Sequence, residues 1–283
     1  MVNKNNIQII EKALKKQKIV AMLAPSFVTD FEYPLILQQL REFGFDKVVE
    51  LTFGAKMVNK QYHKILKNPK KLFISSVCPG IVETIKKEFP EYKKNLVPVI
   101  SPMIATAKMC KKIYPKHKTC FISPCSFKKI EAEQSKDVDY ALDYRQLKEL
   151  FTQRGIKNNL VTKDSNGFDR FYNEYTRIYP VSGGLLQTAH IKGVLHVNSS
   201  KVIDGWGEIS KFLKNPDKNI KFLDITFCKG GCIGGPFTNQ KLSVEEKKKK
   251  VLAYLELSKS LTIPKENKGV FNKVKGLRLK KVY

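Results

Sequence analysis

Residues 18 to 24 read Lys18-Ile19-Val20-Ala21-Met22-Leu23-Ala24, six apolar side chains in a row behind a single lysine. A run this short and this apolar reads as a strand, and the segments after it decide the architecture. Helical periodicity over Phe31 to Phe43 leads into a second apolar run at Lys47 to Thr52, after which Gly54 to Leu66 is again helical. The alternation continues with strands expected at Lys71 to Ser75, Thr119 to Ser123 and Val138 to Leu142, and helices over Pro79 to Phe89, Pro102 to Ile113 and Tyr144 to Arg154. Strands separated by amphipathic helices predict an α/β fold with a mostly parallel sheet.

From Lys157 to Tyr179 the pattern breaks into a polar stretch spotted with aromatics. It resumes with Gly184 to His190, Gly193 to Val197, Gly205 to Leu213 and Ile220 to Thr226, so the break marks a second lobe or an insertion before one. The expected organisation is therefore one unit over 1–263, of two lobes dividing near 115–180. Ser243 with Glu246 three residues on is a capping-box pattern that opens a helix running to Ser260. Beyond Pro264, seven Lys or Arg stand against one Glu, and 264–283 reads as a basic tail.

At 283 residues, 42% hydrophobic and 28% charged, the chain has ample material for a core and is unlike a disordered protein. No stretch approaches the roughly 18 apolar residues of a spanning helix, and Met1 to Gln17 lacks a signal-peptide core, so a cytoplasmic protein without a membrane span is expected. The formal charge of +26 makes the surface attractive to acidic partners: nucleic acid, an anionic membrane or an acidic electron carrier. The excess is lysine scattered along the chain, which is also what a composition-wide bias with solvated helix faces produces. No nucleic-acid recognition motif accompanies the charge, so specific nucleic-acid binding is not expected.

Six cysteines in a reducing compartment point to metal ligands, reactive groups or buried hydrophobes before disulfides. The first of interest lies in Ser75-Ser76-Val77-Cys78-Pro79-Gly80. Pro79 suits the first position of a helix, which puts Cys78 at the N-cap, where free amides and the helix dipole favour a thiolate. The second lies in Ser123-Pro124-Cys125-Ser126-Phe127-Lys128, again a strand running through a turn into a helix. Lys128 follows Cys125 by about one helical turn, so its ammonium can face whatever the cysteine binds, or simply be solvated. The third is Cys228-Lys229-Gly230-Gly231-Cys232-Ile233-Gly234-Gly235-Pro236, whose paired glycines suit a bulky inorganic group close to the main chain. A phosphate cradle would want a following Gly-Lys-Ser/Thr, and a zinc knuckle would want paired Cys-x-x-Cys units. Cys110 in a helical pattern and Cys120 in a strand read as buried free thiols. His63, His117, His190 and His196 share no metal-like spacing.

Taken together the three cysteine segments resemble the catalytic domain of the iron-only hydrogenase large subunit. AMLAPSF, GFDKVVELTFGA, the Ser101-Pro102 helix start, VDYALDYRQL and the Ser182-Gly183-Gly184 turn resemble its framework, so the likeness covers residues 5 to 258. The resemblance implies a cofactor in the cleft where the cysteine loops converge. Cys78, Cys125, Cys228 and Cys232 would ligate a [4Fe-4S] cube, with Cys232 bridging to a di-iron unit bearing CO, cyanide and a dithiolate amine. Lys128 would hydrogen-bond a cyanide. It also implies H2 and protons as substrates, an acidic ferredoxin or flavodoxin as carrier, maturation proteins and an anaerobic setting. No amino-terminal ferredoxin-like module is read.

The departures from the family fall where protons should move. Val77 replaces the family's relay cysteine, Gln61, Tyr62 and Ile65 stand where acidic residues are expected, and Val97 replaces a relay serine. Ser123 and Thr226 replace two pocket methionines, which makes the expected di-iron surroundings more polar. These losses imply a slow or sensory hydrogenase, with a non-catalytic [4Fe-4S] electron-transfer, sensing or trafficking protein as the alternative.

Overall fold

The computed structural model describes residues 4–156, 167–170, 175–196, 198–260 and 270–283. The strands are β1 (Ile19–Leu23), β2 (Lys47–Glu50), β3 (Phe73–Ile74), β4 (Lys118–Ser123), β5 (Tyr140–Asp143), β6 (Ser200–Asp204) and β7 (Phe222–Thr226). The helices are α1 (Lys4–Leu14), α2 (Leu35–Phe43), α3 (Thr52–Ile65), α4 (Pro79–Glu88), α5 (Pro102–Ile113), α6 (Ser126–Glu133), α7 (Tyr144–Gln153), α8 (Gly184–Thr188), α9 (Trp206–Lys214) and α10 (Val244–Ser258). The strands form two sheets, β2-β1-β4-β5 and β3-β7-β6, and every strand pair is parallel. This is the α/β class that the alternating pattern predicts.

Burial follows the two-residue period of the strands. Val20 and Met22 of β1 face a central core shared with Phe222 of β7, whereas Ile19, Ala21 and Leu23 face a second core under α2 and α7. On β7, Leu223 and Ile225 turn outward to a third core with Ile81 and Ile85 of α4. The central core thus lies between the two sheets, and Asp224 and Thr226, in step with Phe222, belong to the same inner face of β7. The parallel strands of both sheets deliver their carboxyl ends to one region, the place where open α/β sheets bind ligands.

Several local expectations recur with their reasons visible. Helix α5 spans the expected residues, with Pro102 at its first turn and the Ser101 Oγ accepting from the Ile104 amide at 3.5 Å. Capping boxes are present at Asp143–Gln146 and at Ser243–Glu246. Others differ. Helix α2 begins at Leu35 and not at Phe31, because Pro34 stands at its N-cap and disfavours helix in the residue before it. The expected element at Gly193 to Val197 is absent over 193–196, and Val197 lies outside the described residues; the strand is instead β6, whose alternation is weak because Lys201 and Val202 are exposed. Nor do the sheets divide the chain in order, since β3, which precedes β4, pairs with β7.

The described end of the basic stretch, 270–283, packs back onto the body. Val274 and Leu279 are buried, the Ile100 amide donates to the Leu279 carbonyl at 2.9 Å, and Val99 bridges Lys280. Its charges disguise an apolar set at every few positions, and that set is what docks. Most of Lys157 to Tyr179 falls outside the described residues, but Arg177 within it is buried beside Glu50 at 3.2 Å. The Tyr254 hydroxyl donates to Glu50 at 2.7 Å, and the Arg177 guanidinium lies 3.9 Å from the Tyr254 ring centroid. This buried cluster ties β2 and α10 to the segment that leads into the cleft. No helix among the described residues is long and apolar enough to cross a membrane.

Candidate functional site

Each cysteine segment leaves a strand end and turns within a few residues. Cys78 is the N-cap of α4 with Pro79 at its first turn, and Cys125 is the N-cap of α6. Both have extended backbone, so the chain arrives as a strand and leaves as a helix, and the sulfur is carried at the corner. The third segment follows β7 and reverses on Gly230 and Gly231, whose φ angles of 81° and 87° disfavour any side chain.

The glycines of this loop have a different purpose from the one expected. A Cβ on Gly231 would stand 2.6 Å from the Pro180 carbonyl oxygen, and one on Gly234 would stand 1.8 Å from that of Lys229. The space they spare is filled by protein backbone: Val181 bridges Gly231, and the Ser182 amide donates to the Gly230 carbonyl at 3.2 Å. They fold the loop tightly on itself and press it against 180–182, which sets where Cys232 points.

Cys78, Cys125 and Cys232 line one cavity of ≈ 90 Å³ together with Val77, Ser123, Thr226, Lys128, Tyr179 and Asp224, and the rest of its wall is chiefly apolar. Cys228 lies beside them, close enough for its charge to raise the pKa of both Cys125 and Cys232. Cys232 is open to a water-sized sphere, but that surface faces the cavity and its thiol is enclosed by protein. Burial pushes the Cys125 thiol up to about 12 and the Cys228 thiol up to about 11, and it drives Cys232 well above the ordinary thiol range. The opposing influence at Cys125 and Cys232 is the Lys128 ammonium. Phe127 and Phe227, ring centroids 5.0 Å apart, pack behind Cys78 and help keep the thiols dry.

Burial disfavours the thiolate at Cys125, Cys228 and Cys232, so ligating thiolates here need a cation to take the protons' place. Among the described residues no three His, Cys, Asp or Glu side chains meet closely enough for a single metal ion. The donors surround a space, which fits a polynuclear iron-sulfur group better than one ion. Lys128 is held at the wall: its Nζ donates to Glu131 at 2.6 Å and to the Val77 carbonyl at 3.3 Å, with both side chains of the ion pair largely buried.

Of the other residues singled out, Cys110 and Cys120 are fully buried in the cores, away from the cavity. His63 hydrogen-bonds the Ala189 carbonyl, His117 pairs with Asp46 at 2.7 Å, and His190 stacks on Tyr175. Val97 is buried, and Tyr62 is buried with its hydroxyl bonded to Ser76 Oγ at 2.9 Å. Sequence reasoning missed Asp224, Tyr179 and Ser76. Asp224 carried a signal: an acidic residue in Phe222-Leu223-Asp224-Ile225-Thr226 interrupts an otherwise buried strand, which needs a reason.

Comparison with known proteins matches residues 17–236 to the C-terminal domain of the iron-only hydrogenase large subunit. Iron hydrogenase 1 of Clostridium pasteurianum is 25% identical over 73% of this chain and 46% of its own length. A subunit of an NADP-reducing hydrogenase from Solidesulfovibrio fructosivorans is 23% identical over 81% of this chain and 50% of its own. The chain thus spans about half the length of these curated relatives. An [FeFe]-hydrogenase structure from a study of stepwise H-cluster assembly superposes with a TM-score of 0.71 at 16% identity, covering 98% of this chain and 95% of that one. A glutamate-to-alanine variant of the Chlamydomonas reinhardtii enzyme gives 0.71 at 16%, covering 94% and 93%. These structures share the fold, and with the extent of the family match they show that this chain belongs to the family of C-terminal domains of the iron-only hydrogenase large subunit.

Proposed function

We propose that this protein is an [FeFe]-hydrogenase-type oxidoreductase of low turnover or sensory use. Residues 1–263 house the cofactor, and 264–283 form a basic extension. The observation that carries the reading is the gathering of Cys78, Cys125 and Cys232 with Lys128 around one cavity, with Cys228 beside them. Those cysteines would hold a [4Fe-4S] cube, and Cys232 would also bridge to a di-iron unit carrying CO, cyanide and a dithiolate amine. When bound, this group supplies the redox chemistry that interconverts H2 with two protons and two electrons.

The chain's own residues bind, shield and orient. Lys128 is set by Glu131 and the Val77 carbonyl to offer a charged donor to an anionic ligand such as cyanide, which a dry cavity could not otherwise hold. Ser123 and Thr226 add hydroxyls to a wall that is otherwise apolar, although Thr226 Oγ1 is partly used by the Cys228 carbonyl at 3.3 Å. Val77 reaches the cavity with no proton to exchange, and this favours slow turnover. The same residue favours a second reading, a cube-only protein of electron transfer, sensing or trafficking.

An infrared spectrum of anaerobic protein exposed to maturation proteins and the di-iron cofactor separates the two. CO and cyanide bands are expected; a protein that keeps about four irons yet never shows those bands is a cube-only protein. Electrons would pass to an acidic ferredoxin or flavodoxin in an anaerobic cytoplasm, drawn by the charge of +26. Stopped-flow electron transfer should slow steeply as salt rises, and a rate indifferent to salt would exclude such steering.

A further inference from the structure

Val77 cannot pass a proton, yet the cavity is not without groups that can. Asp224 and Tyr179 line it together with the cysteine corners. Asp224 is 3% exposed, and among the described residues its carboxylate accepts one hydrogen bond, from the Leu186 amide at 2.8 Å. The Tyr179 hydroxyl is buried and has no hydrogen-bond partner among the described residues. A buried hydroxyl left unpaired beside a half-satisfied carboxylate is unfavourable in a mere core, and it implies something in the cavity that both groups address.

Near these two groups lies a second polar set. Asp224 lies near enough that its charge acts on the hydroxyls of both Tyr179 and Tyr62. The Tyr62 hydroxyl meets Ser76 Oγ at 2.9 Å and accepts from the Ser76 amide at 2.8 Å. Ser76 Oγ in turn donates to the Val97 carbonyl at 2.7 Å and to that of Val99 at 3.2 Å, where the Tyr283 hydroxyl also donates at 2.8 Å. Ser76 and Tyr283 border a small pocket of ≈ 10 Å³ lined by Glu83, Glu131 and Lys281, room for about one water.

We propose that Asp224 is the group that exchanges protons with the cofactor cavity, and that Tyr62 and Ser76 relay them to the pocket beside Glu131. The assignment rests on the hydrogenase reading above. The bound group would supply the redox chemistry that turns H2 into two protons and two electrons, the electrons going to the external carrier. Each proton adds to a carboxylate oxygen of Asp224, giving the neutral acid. The acid returns it to a hydroxyl, Tyr62 passes its own proton to Ser76 as it receives one, and Ser76 does the same toward water and Glu131. Every hydroxyl ends with the proton count it began with. Burial keeps Tyr62 protonated, as a relay requires, and pushes the Asp224 carboxyl up to about 6, where it can both take and give a proton near neutral pH. The groups around Asp224 are the neutral hydroxyls of Tyr62 on α3 and Tyr179, the Leu186 amide on α8 and, lining the same cavity, Lys128 and the thiols of Cys78, Cys125 and Cys232.

The test combines infrared difference spectra with turnover. Wild-type protein should show a protonated-carboxyl band that titrates near pH 6, and Asp224→Asn, whose amide oxygen can still accept from Leu186, should lack it. In the loaded protein Asp224→Asn should reduce H2 turnover by about 100-fold or more with CO and cyanide bands unchanged. Tyr62→Phe should also slow turnover and should shift the carboxyl band without loss of loading. H2 oxidation needs the carboxylate, so its rate should fall as pH drops through the Asp224 titration, and Asp224→Glu should move that limb. A carboxyl band that survives Asp224→Asn, or a loaded Asp224→Asn protein as fast as wild type, overturns the assignment alone. If wild-type protein never shows CO and cyanide bands, the hydrogenase reading has failed and this role for Asp224 falls with it.

Discussion

The two walls of the cavity are built on different principles. On the cysteine wall each ligand candidate sits at a corner dictated locally, by a proline after Cys78, a helix start after Cys125 and left-handed glycines before Cys232. Around the rest of the cavity, Asp224 and Tyr179 in its wall and Tyr62 and Ser76 outside it come from four separate segments, and each is also part of a strand, helix or turn whose main task is packing. A wall made of local motifs survives divergence as a unit. A set assembled from distant residues depends instead on how the sheets and helices pack.

The largest effect that bears on this contrast concerns iron. Cys228→Ala should lose the cluster outright, whereas Cys110→Ala, deep in the central core, should keep it. Iron and acid-labile sulfide counts on anaerobically reconstituted protein decide it, and the reverse pattern would place the ligands elsewhere.

Lys128→Met attacks the hinge between the walls. It strands Glu131, whose side chain is 8% exposed, without its partner and should cost about 3–5 kcal/mol by chemical denaturation. Adding Glu131→Gln should recover most of that loss, because the uncompensated charge is then gone. A single variant as stable as wild type would mean that Glu131 is already neutral or solvated.

Asp224→Asn should act on the stability of cofactor-free protein in the opposite sense. The folded carboxyl titrates at about 6 against an ordinary 3.8, so below about pH 4 both states are protonated and Asp224 costs nothing. Between those values the folded state keeps a proton that the unfolded state has released, and stability falls as pH rises. Above pH 6 the full penalty is present, roughly 3 kcal/mol for that difference. The Asn variant should therefore be the more stable at pH 8 and equal to wild type near pH 4. An advantage that does not shrink with acid would mean the carboxylate is not the source.

The smallest effect is expected at Val77→Cys. A thiol there lines the cavity but backs onto the core cluster that holds Tyr62 and Val97, which offers no acid, so turnover should rise by less than about tenfold. A gain of several hundredfold would reveal a working path behind residue 77 and remove the contrast between the walls.

Much of the cysteine wall was legible in the order of residues alone. The parallel α/β class, the bounds of α5 and the corners at Cys78 and Cys125 follow from rules that reach only a few residues along the chain. Where expectation failed, the deciding contact was remote. Gly231 looked like room for a cofactor until 180–182 filled the space, and the basic end looked detached until Val274 and Leu279 met their core. Tyr62 read as a lost acid, and its hydroxyl acquires a meaning only beside Ser76 and Asp224.

By itself, then, the sequence determined the strand and helix alternation and the corners that carry Cys78 and Cys125. Hydrophobic period, proline and glycine act within a turn or two of chain, so these are readable without a partner. Only the tertiary structure decided that Asp224 of β7 shares a dry cavity with the thiols and acts on the hydroxyl of Tyr62 on α3. Neighbours across a core are set by how sheets and helices pack, and no spacing along the chain records which distant side chains that packing brings together.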